Sequence, residues 1–274
     1  MTIAVVLGAG GSAALGWQTG VLAGLADEGV DIPPGVRVVG TSAGALLAGR
    51  RCSGATPAEL VGLLGDVAAL APPDIDFAVV SSDWARAAAG ASSALDARQR
   101  IGAAAKRADV QPRRQRRAEI AALLGRSGWP DDDLVVTAVS ADTGSFVTFD
   151  RESGVDFVDA VGASCAVPSV WPTVEIDGEH FMDGSVLSPT NVPVAAPCQR
   201  VLVLAPLLPE LGGGIAREVA QLGPGVTVEV ISSDEDARVA FGRNPLDPRV
   251  TPASAVEGRR QGREAASRAL SILG

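Results

Sequence analysis

Two runs of β-branched residues stop on glycine and pass at once into alanine-rich sequence. TIAVVLG (residues 2–8) leads into GAGGSAALGWQTGVLAGLADEG, and VRVVG (36–40) leads into TSAGALLAGRRCSG. A run apolar at successive positions has both faces buried, so these read as interior strands, each handing over through a glycine turn to a helix. LVVTAVS (134–140), RVLVLAP (200–206) and VTVEVIS (226–232) repeat the strand signal. Helices are expected to Gly29, from Ser42 to Gly54, from Thr56 onward, over 158–167 and over 253–273. Thr56, Pro57 and Glu59 stand at N-cap, N1 and N3 of the third, and Pro72-Pro73 ends it. Alternation of this kind predicts an α/β fold with a mainly parallel sheet covered on both faces.

The 274 residues carry no internal repeat and no linker, so residues 1–274 are read as one domain. Apolar residues at 47% suffice for a sizeable core. Residues 1–26 hold no charged side chain, but no basic segment precedes the apolar part and six glycines interrupt it. A buried strand, a turn and a packed helix are expected there rather than a signal peptide or membrane span. Cys52, Cys165 and Cys198 give neither a disulfide framework nor metal spacing, which points to a reducing, cytoplasmic compartment with no metal. A hairpin is expected over 173–184, turning at Asp177-Gly178, and a second through Asp142, Thr143 and Gly144.

A net charge of −9 argues against nucleic acid as a partner. Residues 98–126 oppose that balance, with Arg98, Arg100, Lys106, Arg107, Arg113, Arg114, Arg116, Arg117 and Arg126 against Asp96, Asp109 and Glu119. They belong to a weakly patterned segment, 74–130, expected to be helical. It reads as a lid or membrane-facing insertion with peripheral contact to anionic lipid, or as a solvated helical face.

The chemistry centres on Gly40-Thr41-Ser42-Ala43-Gly44. A sharp strand-to-helix turn lifts a serine hydroxyl above the sheet edge, and positions two residues away must be small because backbone packs on both sides. The following helix aims unpaired amides at the site. A serine nucleophile needs a base, and the one histidine, His180, lies three residues before Asp183 in EHFMDGS. In an extended chain that odd spacing turns the two to opposite faces. A carboxylate is then the direct base, and Asp183, ahead of Gly184 at the end of a short strand, is the candidate; the bland alternative is an Asp-Gly turn. In the loop Gly8-Ala9-Gly10-Gly11-Ser12, the amides of Gly10 and Gly11 are expected to meet an oxyanion, with that of Ala43 adding a donor. Gly8-x-Gly10-x-x-Ala13 also fits a dinucleotide-binding turn, which calls for an acid at the end of the second strand; Gly40 and Thr41 stand there instead.

Taken together, LGAGGSAALGW, GTSAG, ASCAVPSVWP, and FMDGS followed by NVP resemble the patatin-like phospholipase family over most of the chain. The resemblance implies a three-layer α/β/α fold and a Ser–Asp dyad acting on lipid acyl esters without metal or cofactor. It places the nucleophile at Ser42, the base at Asp183 and the oxyanion loop at Gly10, Gly11 and Ser12. Ala9, Ala14 and Ser185 depart from the family's more glycine-rich pattern. Cys165 and Pro168 are expected beside the site. Asn191 and Pro193 either brace the base loop or form a surface turn. Trp84, Trp129 and Trp171 either contact substrate chains or belong to the core. The competing classes are a dinucleotide-dependent enzyme and a non-catalytic lipid-binding relative.

Overall fold

The apolar runs become neighbouring strands of one sheet. The computed structural model describes residues 2–70, 77–206 and 214–274. The chain runs β1 (Ile3–Leu7), α1 (Gly11–Asp27), β2 (Arg37–Gly40), α2 (Ala43–Cys52), α3 (Pro57–Ala68), α4 (Phe77–Ala88), α5 (Ala94–Arg107) and α6 (Arg113–Leu124). It continues with β3 (Leu134–Ser140), β4 (Phe146–Phe149), α7 (Phe157–Ser164), β5 (Val174–Ile176), β6 (Glu179–Asp183), β7 (Arg200–Ala205), α8 (Ile215–Gln221), β8 (Thr227–Ser232), α9 (Glu235–Phe241) and α10 (Thr251–Leu273). The order across the sheet is β5-β6-β3-β2-β1-β7-β8, with β4 also paired to β3. From β3 to β8 the neighbours are parallel; β4, β5 and β6 are antiparallel additions.

Successive strand residues divide between two cores. Val5, Leu7, Val38, Val136, Leu202 and Leu204 face the core shared with α1, α2, α3, α7 and α10. Ala4, Val6, Val39, Val135, Val201 and Val203 face the opposite one, closed by the 192–195 turn and α8. This three-layer arrangement is why the strands read as continuous apolar runs. β8 departs from that expectation: among the described residues it is the sheet's last strand, and all of it but Ile231 keeps some exposure.

The local signals hold where they rest on short-range physics. Thr56 and Glu59 form a capping box. The β5–β6 hairpin turns at Asp177 and Gly178, both with positive φ. Pro72-Pro73 lies outside the described residues. The early glycines have a tertiary reason. Gly16, Gly20 and Gly24 of α1 abut the backbone of Thr251, Ala255 and Arg259 of α10, Gly258 and Gly262 abut that of Trp17 and Val21, and a Cβ on Gly20 or Gly258 would lie 2.1 Å or 2.0 Å from a carbonyl oxygen of the other helix. The expected helices of 74–130 are α4, α5 and α6. α5 docks on the β3–β4 turn, where a Cβ on Gly102 would lie 2.2 Å from the Ala141 carbonyl oxygen. Among the described residues, no helix is long and apolar enough to cross a membrane.

Candidate active site

Strand register brings Ser42 and Asp183 together. β2 pairs with the first part of β3, ending at Gly40 opposite Val136. β6 pairs with the last part, ending at Asp183 opposite Ala138. β4 takes the other edge of β3 across both positions, opposite Phe149 and Val147. β2 and β6 therefore share one edge end to end. One is parallel and the other antiparallel to β3, so their C-terminal ends point at each other across two residues, a span of ~7 Å.

Ser42 turns the corner with φ 56° and ψ −120°, left-handed backbone that a non-glycine residue rarely adopts. Side chains from the end of α7 hold it. Its N–H donates to Ser164 Oγ at 2.8 Å, and its carbonyl accepts from Cys165 Sγ at 3.2 Å. The flanking glycines are sterically required: a Cβ on Gly44 would lie 2.0 Å from the Leu7 carbonyl oxygen, and one on Gly40 2.5 Å from Ala45 Cα.

Asp183 is fully buried. Its Oδ1 accepts from the Ser185 amide at 2.8 Å, and its own amide donates to the Ala166 carbonyl at 3.0 Å. Burial pushes its carboxyl up to about 6; Ser42 and then Ser185 pull in the opposite direction by favouring the charged form. The Ser42 hydroxyl thus stands near enough to bias the carboxyl without forming a well-aligned hydrogen bond, since Oδ2 is buried with no partner. A buried carboxylate with a raised pKa is a stronger base than a solvated one. Burial, then the Asp183 charge, push the thiol of neighbouring Cys165 up to about 12, which disfavours the thiolate. His180 sits half-exposed on β6 with Nδ1 near Arg113, away from the serine as the odd spacing requires.

The glycine loop follows β1. Gly8 N–H donates to the Leu204 carbonyl, Ala9 N–H to Pro189 and Ala13 N–H to Pro245. Among the described residues, the amides of Gly10, Gly11, Ser12 and Ala43 donate to nothing. Amides in the first turn of a helix have no partner within it, and these four, of part-exposed Gly10, Gly11 and Ser12 and buried Ala43, stand free at the starts of α1 and α2. Gly11, Ser12, Ser42 and Ala43 border one cavity of about 560 Å³. Leu15, Leu46, Val67, Ile120 and Leu123 give it apolar walls, while Gln111, just before α6, and Gln115, Arg116 and Glu119 on its first turns form a polar rim. Its size and mixed lining suit a small organic ligand.

The basic stretch is mostly neutralised within the chain. Arg100 pairs with Asp96, Lys106 with Asp142, Arg113 with Glu175, Arg116 with Glu119, and Arg117 with Asp156 and Asp159. Arg98 and Arg126 donate to backbone carbonyls. Arg107 and Arg114 have no partner among the described residues. Trp171 lines the cavity beneath the Arg116 guanidinium, 3.9 Å from its ring centroid. Trp84 and Trp129 do not border it; their indoles donate to the carbonyls of Pro168 and Val155. Among the described residues, no group of three or more His, Cys, Asp or Glu side chains is placed to hold a metal ion.

Several supporting residues carry no motif of their own. Ser164 precedes the more conspicuous Cys165. Gln18, fully buried, donates from Nε2 to the Gly8 carbonyl at 2.9 Å and steadies the glycine loop. A polar residue at an apolar helix position was the available signal for it. Asn191 is no surface turn: it is 2% exposed.

A family model described as patatin-like phospholipase matches residues 5–196. A comparison with curated proteins finds no match. Among solved structures, the chain is similar to VipD from Legionella pneumophila, at 10% identity and TM-score 0.46, covering 96% of this chain and 66% of that one. It is also similar to the type III effector ExoU, at 15% identity and TM-score 0.38, covering 96% and 53%. A structure of full-length ExoU with full-length SpcU, from Pseudomonas aeruginosa, gives 17% identity, TM-score 0.37, and 95% and 52% coverage. The chain thus spans between about half and two thirds of the length of these structures.

Proposed function

Since this chain belongs to the patatin-like phospholipase family, we propose that it is a serine acyl hydrolase that cleaves lipid acyl esters with Ser42 as nucleophile and Asp183 as base. The observation that carries this reading is a buried carboxylate with a free oxygen, set beside a strained serine whose neighbouring amides are unpaired. Asp183 takes the hydroxyl proton as Ser42 Oγ attacks the ester carbonyl. The amides of Gly10, Gly11, Ser12 and Ala43 receive the charge on the carbonyl oxygen. Collapse breaks the bond to the alcohol, which leaves with the proton from Asp183. Water then attacks the acyl-serine with Asp183 again taking the proton, the bond to Ser42 Oγ breaks as Asp183 returns that proton to Oγ, and the carboxylic acid departs. The apolar walls take the acyl chain, and the ester can be that of a phospholipid or a lysophospholipid. Peripheral contact with anionic lipid falls to Arg107 and Arg114.

A fluorophosphonate probe labels only an activated serine. Labelling is expected at Ser42, lost in Ser42→Ala and Asp183→Asn, and reduced as pH falls below about 6, where the carboxyl holds its proton. Full labelling or ester hydrolysis in either folded variant would refute the assignment. Sedimentation with anionic vesicles that responds neither to salt nor to Arg107→Gln with Arg114→Gln would remove the membrane part.

A further inference from the structure

Behind the elbow, away from the cavity, lies a buried polar cluster that the reaction above does not use. At its centre is Asn191, which has left-handed backbone (φ 53°). Its side-chain Nδ2 lies 2.8 Å from the Ser188 carbonyl, 3.1 Å from Thr41 Oγ1, and 3.4 Å from both Thr137 Oγ1 and the Gly184 carbonyl. Thr41 immediately precedes Ser42, and Gly184 immediately follows Asp183. Thr137 belongs to β3, the strand on whose edge the two chain ends meet. Thr41 Oγ1 and Thr137 Oγ1 are themselves 2.8 Å apart. The node has no slack, since a Cβ on Gly184 would lie 2.4 Å from Thr137 Oγ1.

The loop is also held from the opposite face. The Glu218 carboxylate of α8 accepts from Ser188 Oγ, from Thr190 Oγ1 at 2.8 Å and from the Val192 amide at 2.9 Å. Asp183 has only the Ser185 amide on Oδ1 and nothing on Oδ2, so its aim depends on the loop that carries it. Neither Asn191 nor Glu218 borders the cavity.

We propose that Asn191 is a positioning residue that sets the separation of Ser42 and Asp183 by tying the residue before the serine to the residue after the carboxylate, with Glu218 anchoring the loop that presents it. The inference rests on the Ser–Asp reading. Asn191→Asp tests it sharply: aspartate tolerates left-handed backbone as asparagine does, but it sets an acceptor against the carbonyls of Gly184 and Ser188. Misplacement of reacting groups by about 1 Å costs on the order of 100-fold. Hydrolysis of a p-nitrophenyl ester by Asn191→Asp is expected to lose about 100-fold in kcat, with KM unchanged because the cavity is untouched. The acid limb of its pH profile moves to higher pH as Asp183 loses the influence of Ser42. Glu218→Gln is expected to show the same pattern at about tenfold and carries the test if the Asn191 variant does not fold. Parental kcat and pH profile in a folded variant, or a raised KM at unchanged kcat, overturns the proposal. Full activity in Ser42→Ala would instead bring down the Ser–Asp reading itself.

Discussion

The seam between α1 and α10 and the wall that α6 lends to the cavity are both helix contacts, and they are built in opposite ways. In the seam, Gly16, Gly20 and Gly24 of α1 and Gly258 and Gly262 of α10 each lie against backbone of the other helix. At α6, Ile120 and Leu123 reach into open volume, and arginines on the outer turns are fastened by carboxylates from distant segments. The seam fixes α1, whose first turn presents the free amides of the glycine loop. The α6 wall fixes the shape of the space in front of the serine. Under the proposed hydrolase reading, the machinery for charge rests on contacts that admit no side chain, while the wall offered to substrate rests on side chains that can be exchanged.

The largest effect is expected from breaking the seam. On helix propensity alone, Gly20→Ala and Gly258→Ala would each stabilise by about 1 kcal/mol. A methyl 2.1 Å or 2.0 Å from a carbonyl oxygen reverses the sign. The double variant is expected to lose about 3 kcal/mol or more, read by denaturant unfolding, with probe labelling of Ser42 falling alongside. A stabilised double variant would show that the helices can separate at little cost.

The buried carboxylate gives the next effect, with opposite sign. The carboxyl of Asp183 is held at about 6 when folded, against an ordinary 3.8. Below pH ~4 it is protonated in both states and costs nothing; between ~4 and ~6 only the unfolded chain ionises, and stability drains away as pH rises. Above pH 6 the loss is about 3 kcal/mol. Asp183→Asn should therefore gain stability relative to the parent by about that amount between pH 4 and pH 7, while probe labelling disappears. A pH-independent difference would mean that the carboxyl titrates normally.

These two regions were unequally legible in the sequence. Gly40, Ser42 and Gly44 could be read because the elbow's demand for small neighbours is local, and Asp183 because an Asp-Gly pair closes a short strand. The meeting of β2 and β6 on one edge of β3 was not written in any window, since it depends on two long-range registers, Val38 opposite Leu134 and Ala138 opposite Asp183. Glu218 lies on a seven-residue helix with no motif, and its role follows from where α8 lands. The charge balance of the basic stretch was equally hidden. Arg113 finds Glu175 at a separation of 62 residues and Arg117 finds Asp159 at 42, so a cluster of free charge in the sequence is largely paired in the fold.

Enlarging the wall at α6 should produce a smaller loss of stability and a change of preference. Leu123 is 8% exposed and already borders open volume, so Leu123→Ala should sit near the low end of leucine truncations, about 2 kcal/mol. Under the hydrolase reading, the added room shifts kcat/KM toward longer or bulkier acyl esters by up to about tenfold, measured across a p-nitrophenyl ester series. An unchanged ranking would place the acyl chain elsewhere.

The smallest effect belongs to the arginines that looked most conspicuous. Arg113 and Arg117 are each about half exposed and reach partners across solvent-facing gaps. Exposed pairs gain little because water screens them and ordering two long side chains costs entropy. Arg113→Gln with Arg117→Gln should move Tm by no more than about 2 °C and leave Ser42 labelling at the parental rate, since neither guanidinium borders the serine's cavity. A drop of several degrees would mean that α6 is held by charge after all, and the contrast with the glycine seam would then be one of chemistry rather than of tolerance.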